Sequence, residues 1–144
     1  MNKIASIISL ALLMSLTALA QTVKSPDGNV SLTFSLTGNG VPTYEMTYKN
    51  KAVVNPSHLG LELAKDKHTS KGMRETSLMD GFTETGSTTS TFDETWTPVW
   101  GQYAKIRNHY NEMAVNLTQP ATKRKMTIRF RVYNIGMGLR YEFP

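Results

Sequence analysis

The sequence contains no cysteine, and this absence excludes several kinds of chemistry. A chain without thiols forms no disulfides, has no cysteine nucleophile, and cannot hold zinc or an iron–sulfur cluster through cysteine ligands. Histidine is also scarce: His58, His68 and His109 lie far apart, without the close spacing that is typical of a metal site. The sequence also lacks the Gly-x-Ser-x-Gly elbow of many serine hydrolases and a strand-to-helix glycine loop for phosphates. With 40% hydrophobic and 19% charged residues, the composition is that of a globular protein.

The chain opens with a segment that is typical of a secretory signal. Lys3 is its only charge, residues 4–19 are apolar or small, and Ala18 and Ala20 place small residues at the −3 and −1 positions. The uncharged run is shorter than the ~20 apolar residues that cross a bilayer. We therefore predict a signal peptide over residues 1–20, cleaved after Ala20, and export to the periplasm or the extracellular space.

The remaining residues, 21–144, are few enough for a single domain. Their apolar side chains alternate with polar ones, a period of two that is typical of β-strands with one buried face. No window sustains the spacing of an amphipathic helix. We predict an all-β fold of antiparallel strands arranged as a β-sandwich. The alternating stretches are residues 30–36, 44–48, 59–63, 113–117, 126–132 and 139–143.

Two connections follow from the same pattern. The glycine-rich turn at residues 38–40 separates the first two alternating stretches and predicts a β-hairpin. Residues 66–90 are polar and rich in threonine and serine, so we interpret them as a long connection with one short strand near Phe82.

The final two alternating stretches carry charges on their polar faces. Arg129 and Arg131 belong to the first of them, and Glu142 belongs to the second. If these strands pair, we expect Glu142 to meet one of the two arginines across the strands, an ion pair worth about 0.2–1 kcal/mol.

Residues 91–112 form the stretch that is richest in aromatic and planar polar side chains. The ring face of a sugar stacks on indole, while guanidinium, amide, imidazole and carboxylate groups bind its hydroxyls. The stretch is therefore a candidate carbohydrate-binding surface. The alternative is that both tryptophans fill the core of a small sandwich. The candidate residues are Trp96, Trp100, Arg107, Asn108, His109 and Glu112.

The carboxylates of this stretch do not identify a catalytic pair. A glycosidase needs two carboxyl groups roughly 5–10 Å apart on either side of the bond that is cleaved. Asp93 and Glu94 are adjacent, so they face opposite ways in a strand, and Glu112 can approach either only through the fold. His109 and Glu112 would share a face only on a helix. We therefore assign no catalytic residue and no metal ligand.

A short basic run, Lys123-Arg124-Lys125, raises the possibility of nucleic-acid binding. Such a run at a turn is usually a solvated surface, and an exported protein does not meet genomic DNA. We therefore expect no nucleic-acid partner.

Five phrases of the sequence resemble one known family. Together they are similar to the N-terminal domain of glycoside hydrolase family 97, which comprises exported α-glucosidases and α-galactosidases of polysaccharide-degrading bacteria. Ile135 departs from the family pattern, where an acidic residue precedes the glycine of the turn. The phrases, in chain order, are SPDGNVSLTF, PSHLGLEL, FDETWTPVWG, IRNHYNE and IRFRVYNIGMGLRYEFP.

The resemblance implies a β-super-sandwich of the galactose-mutarotase type for residues 21–144. In this family the catalytic carboxylates and nearly all calcium ligands belong to a central (β/α)₈ barrel, and one calcium-ligating glutamate belongs to the N-terminal domain. By alignment that glutamate lies beyond Pro144, so no catalytic or metal residue is assigned here. Further strands follow the RYEFP phrase in the family, so we expect an incomplete sandwich and a truncated chain.

These implications give a functional expectation. The chain would be the non-catalytic N-terminal part of an α-glycosidase that cleaves α-linked oligosaccharides with the help of calcium, and it would itself be inactive. Its role would be packing on the barrel and binding sugar at the rim of the pocket, with residues 91–112 as the rim or interdomain surface. The alternative is a stand-alone secreted module that binds carbohydrate or a protein partner. We expect no membrane contact after signal cleavage.

Overall fold

The computed structural model describes residues 20–63 and 77–144. The predicted signal peptide, apart from Ala20, lies outside the described residues. So do His68 and part of the predicted polar connection. Within the described ranges, no helix is long and apolar enough to cross a membrane.

Every regular element in residues 20–63 and 77–144 is a β-strand, and the strands form two antiparallel four-stranded sheets. In each sheet, strands that follow one another in the sequence are neighbours, so each sheet is a simple meander. The predicted all-β, antiparallel fold is confirmed. The first sheet contains β1 (Gln21–Lys24), β2 (Val30–Leu36), β3 (Pro42–Tyr48) and β4 (Lys51–His58). The second contains β5 (Thr83–Trp96), β6 (Ile106–Gln119), β7 (Arg124–Tyr133) and β8 (Gly136–Glu142).

The core lies between the two sheets and is built from the alternating apolar residues. The ring of Phe34 on β2 meets that of Phe130 on β7, with centroids 5.9 Å apart. The ring centroid of Tyr44 on β3 lies 6.4 Å from that of Phe130. Phe130 therefore joins both sheets, as expected for a sandwich whose inner faces interdigitate. The other fully buried large apolar side chains are Leu32, Met113, Val115, Leu117, Met126, Ile128 and Val132.

The predicted hairpin between the first two alternating stretches is present as β2 and β3. Their register runs from Val30 opposite Tyr48 to Leu36 opposite Pro42. Gly40 in the connecting turn has a φ of 68°, a left-handed conformation that glycine adopts without steric cost. Its backbone carbonyl also accepts a hydrogen bond from the amide of Phe82, which links this turn to the start of the second sheet.

The prediction of a strand over residues 59–63 is wrong. The strand β4 ends at His58, and Leu61 makes only an isolated bridge with Leu78. Gly60 has a φ of 149°, and a Cβ at this position would lie 2.6 Å from the carbonyl oxygen of Leu78. The close backbone approach at Gly60 ends the regular pairing, although Leu59 still points into the core.

The interpretation of residues 66–90 as a connection is wrong for residues 83–90. Residues 83–90 belong to β5, which runs without interruption to Trp96 and is among the longest strands in the described part of the chain. Their threonines and serines are compatible with an exposed edge strand that pairs with β6 on one side only. The short strand expected near Phe82 is therefore the beginning of a long one.

Candidate functional site

The two longest strands extend beyond the rest of their sheet as a two-stranded ribbon. Along β6, pairing with β7 begins only at Asn111, which lies opposite Val132. Residues 106–110 of β6 instead pair only with residues 92–96 of β5. We call residues 92–110, which include the connection between the two strands, the aromatic ribbon.

Large apolar side chains at the tip of the aromatic ribbon face solvent. Trp96 is 47% exposed, Tyr103 is 66% exposed and Trp100 is 88% exposed. Val99 is completely exposed. The alternative in which both tryptophans fill the core is therefore wrong. Tyr103 and Val99 belong to this exposed tip but were not among the predicted candidate residues. No alternation of apolar and polar residues in the sequence singled them out.

The base of the aromatic ribbon is held to the sheet by a cluster of rings. Phe92 and Tyr110 stack with centroids 5.2 Å apart and an interplanar angle of 20°. Tyr133 at the end of β7 contacts Tyr110 at the same centroid distance, and the Arg131 guanidinium lies 4.6 Å from the Tyr110 ring centre. Tyr110 is thereby buried. The ring cluster fixes the direction in which the ribbon leaves the sandwich.

A bidentate ion pair spans the two strands of the aromatic ribbon. Arg107 Nε donates to Asp93 Oδ1 at 2.8 Å, and its Nη2 donates to Oδ2 at 2.7 Å. These bonds hold the pKa of the Asp93 carboxyl below its ordinary value. Both side chains are exposed, so the pair orients the two groups more than it stabilises the fold.

The polar candidates of β6 do not converge on one point. Asn108 lies opposite Glu94, whereas Arg107 and His109 lie opposite Thr95 and Asp93. Because successive strand residues point to opposite faces, Arg107 and His109 share one face and Asn108 lies on the other. The ribbon therefore presents two polar edges beside its aromatic tip.

Glu112, the remaining candidate, is part of an ion-pair network and is not on the ribbon. It is buried on the outer face of the second sheet, where Arg129 Nη1 and Arg131 Nε donate to its two oxygens, the latter at 2.8 Å. Burial raises the pKa of its carboxyl, but the bonds from Arg131 and Arg129 outweigh this and lower the pKa overall. Glu112 is therefore an ion-pair partner of two arginines.

The predicted cross-strand pair of Glu142 is confirmed. Arg129 Nε and Nη2 donate to its two oxygens at 2.7 and 2.9 Å. Arg140 Nε also donates to Glu142 Oε1 at 2.7 Å. We call Glu112, Arg129, Arg131, Arg140 and Glu142 the charge ladder. The sequence pattern indicated one pair of this network but did not indicate that Glu112 belongs to it.

Acidification is expected to weaken the charge ladder. Hydrogen bonds from Arg129 and then Arg140 lower the pKa of Glu142 from 4.5 to about 2. Between these values the unfolded chain binds the proton more readily, so this contribution to stability is present above pH 4.5 and is lost as the pH falls towards 2. The urea concentration at the midpoint of unfolding should be lower near pH 3 than at neutral pH. Glu142→Gln should show a smaller decline, and an equal decline in both proteins would contradict this assignment.

The intrinsic fluorescence of the chain is expected to report directly on the aromatic ribbon, since Trp96 and Trp100 are its only two tryptophans. Because both indoles face solvent, we expect native emission close to that of the urea-unfolded chain and efficient quenching by acrylamide. Trp96→Phe should leave a still more exposed signal from Trp100. Blue-shifted native emission that moves to the red on unfolding would contradict the exposed tip.

Three carboxylates in and beside the candidate region are paired with arginines. Asp93, Glu112 and Glu142 are each held by an arginine. Across residues 20–63 and 77–144, no group of three or more histidine, aspartate or glutamate side chains gathers closely enough to hold a metal ion.

Comparison with known families and structures agrees with this architecture. The family described as "Glycosyl-hydrolase 97 N-terminal" matches residues 23–144. A glycoside hydrolase family 97 enzyme from Pseudoalteromonas sp. strain K8, solved with acarbose, superimposes with a TM-score of 0.74 and 29% identity. The E480Q form of a family 97 enzyme from the same strain, solved with panose, gives 0.73 and 28%.

A third structure is more distant. A β-arabinopyranosidase has the same fold, with a TM-score of 0.71 at 20% identity. Each of the three comparisons covers 86% of this chain, but only 17–18% of the other chain. The protein thus corresponds to a small part of the enzymes that it matches. On its sequence and its two-sheet fold, the chain belongs to the glycoside hydrolase family 97 N-terminal domain family.

Proposed function

We propose that the chain is the non-catalytic N-terminal domain of an exported glycoside hydrolase that acts on α-linked glucosides or galactosides. The observation that carries the proposal is the aromatic ribbon, an exposed apolar surface on a chain whose central carboxylates are held by arginines. Family membership supports the enzyme class. The activity belongs to the parent enzyme and not to this domain.

The aromatic ribbon is proposed to pack against the catalytic barrel. Tryptophan and tyrosine are enriched at the centres of stable interfaces. Trp96, Trp100 and Tyr103 are only partly exposed, so their complete burial would remove roughly 300–500 Å² from solvent. A standard interface buries ~800 Å² on each partner, so the tip alone supplies much of the area that a domain contact needs.

The same contact is proposed to form part of the rim of the substrate pocket. Arg107, Asn108 and His109 follow the aromatic tip along β6 and offer donors for sugar hydroxyls. Two matched family 97 structures contain panose and acarbose. We therefore propose an α-linked oligosaccharide as the substrate of the parent enzyme.

The described residues do not fit a calcium ion. Calcium takes six to eight oxygen ligands, whereas the Glu112 and Glu142 carboxylates are paired with guanidinium groups and no cluster of three candidate ligands exists within the described ranges. We propose that any calcium of the parent enzyme is held by ligands outside the described residues, most of them in its barrel.

Immunoprecipitation of the native protein tests the proposal. Antibodies raised against residues 21–144 should precipitate a polypeptide several times larger than this chain, and the precipitate should release glucose from panose or galactose from an α-galactoside. Precipitation of a polypeptide of 144 residues or fewer without activity would contradict the proposal.

The exposed tryptophans also support an alternative, a stand-alone module that binds carbohydrate. In that case the isolated chain should bind maltooligosaccharides saturably, with a change in tryptophan fluorescence. Trp100→Ala should abolish the binding, whereas Val53→Ala on the opposite sheet should not. Absence of saturable binding would reject this alternative and leave the domain-packing proposal in place.

A further inference from the structure

The charge ladder surrounds a hollow that neither the proposed function nor the family comparison uses. The hollow lies on the outer face of the second sheet, away from the aromatic tip, and has a volume of about 150 Å³. A carboxylate or a sulfate group fits within this space. The lining residues are Arg129, Arg131, Gly138, Leu139 and Arg140.

The charges around the hollow do not balance. Three arginines meet only two carboxylates in the charge ladder, so one positive charge is left over. Arg129 uses Nε, Nη1 and Nη2 to hold Glu112 and Glu142. Three of its five N–H groups are engaged, more than in Arg131 or Arg140.

Those two arginines retain unused donors. Among the bonds of the described residues, Arg131 donates only through Nε, to Glu112, and Arg140 donates through Nε and Nη2 to Glu142. Both Nη groups of Arg131 and the Nη1 group of Arg140 are left for a ligand. Guanidinium groups with free parallel N–H bonds are the preferred partners of oxyanions in proteins.

The positions of these donors are fixed before any ligand arrives. The Tyr110 ring lies 4.6 Å from the Arg131 guanidinium and restricts its motion on one side, while Glu112 holds Nε at 2.8 Å. Gly138 is the direct cross-strand partner of Arg131. Apart from Gly138 itself and its two chain neighbours, no heavy atom of the described residues lies within 4 Å of the place where a Cβ of residue 138 would sit, so the glycine leaves open the space beside the guanidinium.

We propose that this hollow binds one oxyanion group, a carboxylate or a sulfate, through the free N–H groups of Arg131 and Arg140 beside Gly138. The group is either a free small anion or the acidic substituent of a sugar. The inference does not depend on the proposed function, because it concerns a different face of the domain.

Titration of the isotope-labelled chain with acetate, sulfate and glucuronate, at constant ionic strength, tests this proposal by NMR. We expect saturable shifts at the amides of Arg131, Gly138 and Arg140 and at the side-chain N–H signals of the two arginines. Equal affinity for acetate and glucuronate identifies a free anion as the ligand. Tighter binding of glucuronate identifies an acidic sugar.

Two variants probe the site in different ways. Arg131→Gln removes the donors and should weaken binding at least about tenfold, the value of one hydrogen bond to a charged group. Gly138→Val fills the hollow without changing any charge and should weaken binding similarly. It is compatible with the strand, since φ at residue 138 lies outside the left-handed range and its Cβ meets no neighbour.

Lys51→Gln on the first sheet removes a comparable positive charge and serves as the matched control, with unchanged affinity expected. Shifts that do not saturate, or that are spread over basic residues of both sheets, would overturn the proposal. Wild-type affinity in Gly138→Val would do the same, because that variant keeps every arginine in place.

Discussion

Replacing Phe130 with alanine is expected to cost about 3–5 kcal/mol of the free energy of unfolding, the usual range for truncating a fully buried phenylalanine. The ring is inaccessible to solvent and joins the two sheets through Phe34 and Tyr44. Domains of this size have a total stability of about 5–15 kcal/mol. The variant should therefore lose a large part of its stability, seen as a lower midpoint of urea denaturation followed by far-UV circular dichroism.

The matched control for this substitution is Phe143→Ala. Phe143 is 54% exposed and lies after the end of β8, so its truncation should change the stability by less than about 1 kcal/mol. Similar losses in the two variants would mean that the sheets do not pack through Phe130.

Gly40→Ala is expected to cost more than about 2 kcal/mol, because two separate effects combine at this residue. Its φ of 68° is unfavourable for a residue with a side chain. An added Cβ would also lie 2.5 Å from the backbone nitrogen of Phe82, so the backbone would have to move. That movement would break the hydrogen bond from Phe82 to Gly40 that connects the first hairpin to the second sheet. The midpoint of urea unfolding measures the loss.

Two other glycines separate the contributions at Gly40. Gly28 has a similar φ of 74° but open space around it, so Gly28→Ala should cost only about 1 kcal/mol. Gly138 has neither constraint, and Gly138→Ala should be neutral or slightly stabilising. If Gly40→Ala is no more destabilising than Gly28→Ala, the close approach to Phe82 does not contribute.

The strands with strict alternation were predictable from the sequence. In them, apolar residues that face the core alternate with polar residues that face outward. Residues 30–36 and 126–132 follow this rule throughout, and both are central strands of their sheets. The ion pair of Glu142 followed from the same rule, since opposite charges on one face of paired strands lie close together.

The length of β5 was not predictable from local pattern. Its residues are exposed almost throughout, so no hydrophobic period marks the strand. The pairing with β6, which lies beyond the connection, determines its structure. Tertiary pairing therefore overrides the polar composition that suggested a loop for residues 83–90.

The exposure of the ribbon was not predictable either. Aromatic content alone is compatible with a core or with a surface, and the difference depends on where pairing with β7 stops. The burial of Glu112 was not predictable for the same reason. Only the register between β6 and β7 places its side chain beside Arg129 and Arg131. The family resemblance supplied the interdomain hypothesis that composition could not supply.

We propose that this domain carries no hydrolytic machinery of its own, and an assay of the purified chain tests this proposal. We predict that p-nitrophenyl α-glucoside and p-nitrophenyl α-galactoside are hydrolysed no faster than in buffer, with or without calcium. Calcium-dependent turnover by the folded chain, reduced by Glu112→Gln, would contradict the claim.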